Sequence, residues 1–151
     1  MYFPVKADEA PVATSVDGLV TVNVFAGEVL GAKGPVPSQV EVNAATLVLK
    51  RDGTINIPLP ENHNAVLYLL EGKLNVGGFG MVEALHLVHF KNDGEGITLT
   101  ALEDTRALLL SGKPLHEEVV SHGPFVMNTQ TQIMEAMRDY QMGKMGMLIE
   151  E

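Results

Sequence analysis

Five histidines, His63, His86, His89, His116 and His122, are the side chains best suited to hold a metal or move a proton in this sequence, which has nineteen acids and no cysteine. A metal held on a β-strand needs two histidines separated by one residue. Alternation then sends both imidazoles to one face, and a carboxylate and a third histidine complete the shell. His63-Asn64-Ala65 supplies the first histidine and lacks the second, while Glu71 sits in a Leu-Glu-Gly turn and reads as a solvated acid. His86 and His89 are three apart, so a strand places them on opposite faces and only a bulge would let them share an ion. His116 and His122 flank Glu117-Glu118, an arrangement that more often supplies a hydrogen bond than a catalytic pair.

Nucleophilic and phosphate chemistry find no better footing. Ser15, Ser38, Ser111 and Ser121 occur in no G-x-S-x-G elbow. The glycine clusters GEVLGAKG and NVGGFG have neither a GK[ST] ending nor the strand-to-helix context of a phosphate cradle. If the interior holds a small-molecule pocket, its mouth is expected at His63, Asn64, Tyr68 and His86. Tyr68 would bring an apolar body and a polar tip.

The elements that must position these groups are mostly strands. In LVTVNVFAGEV, Val20, Val22 and Val24 share a face, the period of two that marks a strand. A glycine-rich break is followed by QVEVNAATLVLK and, after Arg51-Asp52-Gly53, by TINIPLP. NAVLYLLEGKLNVGG reads as a hairpin turning at Glu71-Gly72, and MVEALHLVHF, GITLTAL and RALLLSG as three further strands. About eight short strands with turn residues between them indicate an antiparallel sandwich or barrel. Residues 1–16 show no period and read as an extended arm ahead of one domain at 17–151. Thr129 and Gln132 form a T-x-x-Q capping box for a C-terminal helix at about 130–142. Its stripe of Ile133, Ala136, Met137 and Tyr140 should pack inward, with Gly143 taking the left-handed position past its end.

The bulk numbers narrow the function class. A net charge of −9 with scattered Lys and Arg argues against direct nucleic-acid binding and against an anionic membrane surface. No apolar run approaches the roughly 20 residues of a membrane helix. The first residues, MYFPVKADEAP, lack the basic and apolar regions of a signal peptide. Together with the missing cysteine, this makes the cytoplasm the expected compartment.

Four stretches together resemble the C-terminal domain of the pirin family, a branch of the cupin superfamily. They are AGEVLGAKGPV (26–36), PLPENHNAVLYLLEGKLNVGG (58–78), DGEGITLTA (93–101) and RALLLSGKPLHEEVVSHGPFVMNT (106–129). The last is the most specific, and Glu118 stands where the family pattern usually has proline. The resemblance implies an all-β cupin, a double-stranded β-helix of jelly-roll type, with a C-terminal helix. Typical pirins pair two cupin domains: the first carries iron on three histidines and a glutamate, and the second has lost its metal. The resemblance therefore implies the second domain alone, with no cofactor of its own. The quercetinase-type dioxygenase activity of some members belongs to the other domain.

Two expectations follow. In one, the chain is a metal-free binding or assembly module, non-catalytic by itself, that self-associates or meets a second cupin domain. Met142, Met145 and Met147, which follow the helix, are its candidate contact residues, because flexible thioethers fill irregular interfaces. In the other, it is half of a split or truncated dioxygenase that depends on a separate metal-bearing cupin domain.

Overall fold

The computed structural model describes residues 4–146; Met147 lies outside the described residues. Residues up to Pro114 form one compact unit and those from Leu115 a second. The first unit holds β1 (Val12–Thr14), β2 (Val20–Ala26), β3 (Glu28–Val29), β4 (Ala32–Lys33), β5 (Val42–Leu49), β6 (Thr54–Pro58), β7 (Asn64–Glu71), β8 (Lys73–Val76), β9 (Gly80–Glu83), β10 (Leu87–His89), β11 (Gly96–Ala101) and β12 (Thr105–Gly112). Six strands pair in the order β1-β2-β5-β12-β7-β10 and four in the order β6-β11-β8-β9. Every one of these pairings is antiparallel. No ladder joins the two sheets among the described residues, so the fold is an open sandwich rather than a closed barrel.

Alternation writes the core. Val20, Val22 and Val24 on β2, Ala45, Leu47 and Leu49 on β5, Ala107 and Leu109 on β12, and Leu67 and Leu69 on β7 are all fully buried. They share one cluster with Ile55, Ile57, Leu74, Val76, Leu99 and Ala101 of the smaller sheet. Each fully buried branched side chain contributes about 1.5–3 kcal/mol over its exposed state. The expected extended arm contains β1, which pairs with β2 through Val12 and Asn23.

The turns differ from the hairpins that the sequence suggests. β7 pairs with β12 and β10, and β8 pairs with β11 and β9, so Glu71-Gly72 is a corner at which the chain crosses between sheets. MVEALHLVHF is likewise two strands, β9 and β10, in different sheets. Its break falls at Leu85, whose φ of 65° is the left-handed conformation.

Three crossings, β5 to β6, β7 to β8 and β11 to β12, meet at one end of the sandwich around Asp104 and Thr105. Asp104 accepts a hydrogen bond from Lys50 Nζ at 2.7 Å and another from the Arg51 amide at 3.0 Å. The buried Thr105 hydroxyl bonds the Lys73 amide and carbonyl, each at 3.1 Å, and reaches the Glu103 carbonyl at 2.8 Å. Gly72 adopts a φ of 84°, and a side chain there would run into the Asp104 carbonyl and Thr105.

The second unit contains β13 (Val120–His122) and β14 (Phe125–Met127), a hairpin, followed by α1 (Gln130–Gln141). The expected capping box is present: Gln132 N–H donates to Thr129 Oγ1 at 3.3 Å, and Thr129 N–H donates to Gln132 Oε1 at 3.0 Å. Gly143 takes a φ of 72° as expected. Ile133 and Ala136 are buried, but Tyr140 is 66% exposed rather than packed, its ring meeting Phe125 edge-on at 6.1 Å. The stripe is therefore narrower than the sequence suggests, because the hairpin covers only part of one helix face.

Two expected outcomes test this account. Leu109→Ala should cost about 2–5 kcal/mol in denaturant unfolding, through lost burial and an incompletely collapsed cavity. The Lys50 ammonium and the Arg51 amide hold the Asp104 carboxyl below its ordinary value of 3.8. Stability from a depressed carboxyl is present above the unfolded value and is lost as pH falls through the folded one. Asp104→Asn should therefore lose less melting temperature than the parent chain between neutral pH and about pH 3.

Candidate functional site

The end of the sandwich away from the crossings is where alternation places polar residues on the inner face. Continuing the inward rows past Ala45, Leu109 and Ala65 leads to Asn43 on β5, Ser111 on β12 and His63 just before β7. The register confirms the neighbourhood, since Ser111 pairs with Asn43 on one side and Ala65 on the other. Glu41, one step further along the β5 row, accepts the Lys113 amide through its carbonyl at 3.0 Å.

These side chains form a line. The Glu28 amide donates to Asn43 Oδ1 at 3.0 Å, and Asn43 Nδ2 donates to Ser111 Oγ at 3.1 Å. Ser111 Oγ lies 3.4 Å from His63 Nδ1. His63 Nε2 faces Glu41 Oε2 at 3.7 Å, and Glu41 Oε1 stands 3.9 Å from Lys113 Nζ. The His63 side chain is 5% exposed and that of Glu41 is 66% exposed, so the line runs from the interior to solvent. A turn in which the His63 amide donates to the Pro60 carbonyl at 2.9 Å sets the histidine at the strand entrance.

His63 forms part of the wall of a cleft of about 580 Å³ built mainly from the Gly27–Asn43 segment. A bulge at Phe25 breaks the β2–β5 register. Gly27 follows with a φ of 71°, and a side chain there would strike Val42 and Asn43. The chain thus turns away from β2 while its backbone stays against β5, and this opens the cleft.

The four residues expected at a common mouth are not brought together. Tyr68 is on the opposite face of β7 from His63, because five residues along a strand reverse the side; it is flanked in register by Leu87 and Leu108. Asn64 is exposed and accepts from Asn92 Nδ2 at 3.2 Å. His86 is exposed too, with Nδ1 donating to the carbonyls of Glu83 at 3.2 Å and Ala84 at 3.1 Å, so it ties a turn together. His63 alone of the four lies on the inner face. Sequence reasoning misses Asn43, Ser111 and Glu41 as its partners, although their period-two spacing from Ala45 and Leu109 is the available signal.

His89 shares the outer face with Leu87, and His116 and His122 are exposed in the second unit. No three His, Asp or Glu side chains converge to hold a metal ion among the described residues. At the inner end of the sandwich the available set is one imidazole and one carboxylate, with an amide and a hydroxyl behind. That set does not fit an iron site of three histidines and a glutamate.

A third feature lies along the free edges of the two sheets. Phe79, Met81, Leu85 and Leu87 are 73%, 59%, 73% and 60% exposed. Three of them, Phe79, Met81 and Leu87, line a hollow of about 530 Å³ with Val82 and Val88. In the second unit Met142 and Met145 are exposed as well. No helix among the described residues is long and apolar enough to cross a membrane.

Comparison with known proteins places these features in a family. The model of the pirin C-terminal cupin domain matches residues 44–146. A pirin-like protein of Solanum lycopersicum is 37% identical over 133 residues, covering 84% of this chain and 45% of the relative. A pirin-like protein of Caulobacter vibrioides is 36% identical over 145 residues, covering 95% of this chain and 51% of the relative. The solved structure of quercetin 2,3-dioxygenase from Acinetobacter baumannii superposes with a TM-score of 0.86 at 32% identity, over 96% of this chain and 50% of that one. The chain spans about half the length of these relatives. It belongs to the pirin family, and the part of the family it matches is the C-terminal cupin domain.

Proposed function

We propose that this chain acts as a metal-free cupin module whose role is binding and assembly, non-catalytic by itself, and that it associates with a second copy through the β9–β10 edges. The observation that carries this reading is the run of exposed apolar side chains there, Phe79, Met81, Leu85 and Leu87. Large apolar groups clustered at an edge stay in water only at a cost, and such patches mark interaction surfaces. Burial at about 25 cal/mol per Å² favours association, though the ordering of two bodies offsets much of it. The fact that the matched relatives are about twice as long supports a cupin domain as the partner. Met142 and Met145 offer a second contact of the same chemistry in the other unit.

A second reading has its own support. A solved relative that matches 96% of this chain is named quercetin 2,3-dioxygenase, and the match takes in half of it. On that reading the chain completes a dioxygenase whose metal is held by a separate cupin domain. The residues here would supply a covering surface and no reacting group.

Sedimentation equilibrium of the purified chain tests the first reading. Self-association should appear with rising concentration and weaken about tenfold or more in Phe79→Asp, which puts a charge in the patch. A chain that stays strictly monomeric at high concentration, or a Phe79→Asp variant that associates like the parent, would exclude it.

A further inference from the structure

The hydrogen bonds along the interior line run from a backbone amide to the His63 ring. The Glu28 amide can only donate, so the Asn43 oxygen faces it and the Asn43 nitrogen faces Ser111. Ser111 Oγ accepts from that nitrogen and keeps its own hydrogen and a second lone pair, and His63 Nδ1 stands 3.4 Å away. The arrangement in which the Ser111 hydrogen points to Nδ1 makes Nδ1 the acceptor of the ring and leaves the ring hydrogen on Nε2. A backbone amide of the β3 turn thus orients an imidazole through two intervening side chains.

Nε2–H has no hydrogen bond within the protein among the described residues. Its nearest partner, Glu41 Oε2, stands at 3.7 Å, beyond the 2.7–3.2 Å usual for N–H···O. No buried side-chain nitrogen or oxygen lacks a partner among the described residues, so Nε2 opens onto the cleft. A nearly buried donor and an exposed carboxylate acceptor face the same space. The group that satisfies both is a hydroxyl, which accepts from Nε2–H and donates to Glu41.

The walls select the rest of the molecule. Pro35, Val36, Pro37, Val40 and Pro60 give the cleft flat aliphatic sides suited to the face of a ring. Its charged lining is Glu28, Glu41 and Lys33, and Lys113 Nζ stands 3.9 Å from Glu41, so two acids meet two cations and no net charge is left to draw an ion. The Nε2–H donor disfavours an ammonium at the same point. We propose that this cleft binds a neutral, hydroxyl-bearing ring compound, with one hydroxyl bridging His63 Nε2 and Glu41 and the ring lying against the proline-lined walls. The site shares no residue with the β9–β10 hollow and does not depend on self-association.

The test follows the His63 ring by long-range proton–nitrogen correlation in the full ¹⁵N-labelled chain, its signals assigned with a His63→Gln variant. Catechol and methyl glucoside probe the aromatic and the saturated ring, each up to about 10 mM, the weak end of specific binding. Benzoate and benzylamine are the charged controls. The free chain should show the hydrogen on Nε2. At least one neutral probe should shift the ring saturably, and neither charged control should. Glu41→Gln, at an exposed position, should bind that probe about tenfold more weakly, as expected for loss of a charge-assisted hydrogen bond. Which neutral ring binds identifies the source of the hydroxyl. A hydrogen on Nδ1, silence from both neutral probes, equal binding of the charged controls, or Glu41→Gln binding like the parent would each overturn the proposal.

Discussion

The period-two alternation of β5, β12 and β7 is the constraint on which the rest of the first unit depends. Three neighbouring strands send Leu47 and Leu49, Ala107 and Leu109, and Leu67 and Leu69 to one side, and all six are fully buried. With aliphatic carbon on every inward position of the middle of the sandwich, polar chemistry is confined to the row ends. At one end Thr105 carries its hydroxyl into a knot of backbone groups. At the other, Asn43, Ser111 and His63 stand side by side. Buried polar groups at these positions are tolerated because each has a partner, and the line leading out to Glu41 meets that requirement at every buried atom.

The two ends then differ in kind. The Asp104–Thr105 end is where the chain passes three times between sheets, so its charges and hydroxyl are spent on holding corners. The His63 end is where strands begin or finish. The bulge at Phe25 and the turn at Gly27 lift the connection between β2 and β5 away from the sheet there. One end is closed by backbone hydrogen bonds and the other is left concave. The concave end is polar, and no three His, Asp or Glu side chains converge to hold a metal ion there or elsewhere among the described residues.

Much of the fold was legible in the residues. The inward valines of β2, the strand at residues 42–49 and the T-x-x-Q start of α1 could be read directly, because each is a local pattern with a local physical cause. The sequence could not say which strands belong to which sheet. Glu71-Gly72 looks like a hairpin turn, yet it is a corner because Gly72 must pass against the Asp104–Thr105 backbone, a contact with residues about thirty positions away. Leu85 breaks MVEALHLVHF for a similar reason, since a leucine in the left-handed region leaves no compositional mark. Of the four residues expected at one mouth, His63 stands on the inner face, while Tyr68 lies one face away and Asn64 and His86 are engaged in surface hydrogen bonds. The side chains beside His63 come from strands that are distant in sequence, and only the register of β12 between β5 and β7 brings them together.

These features describe a pirin-family cupin domain in which the interior is given to packing, one end to a polar line, and the free sheet edges carry exposed apolar side chains. The central claim is that such a chain works by binding rather than through a metal of its own. Elemental analysis by plasma mass spectrometry, on the full chain purified without chelators after expression with iron, nickel and copper supplied, tests it most directly. The account predicts metal far below stoichiometric amounts. Stoichiometric iron, nickel or copper that survives gel filtration would contradict it.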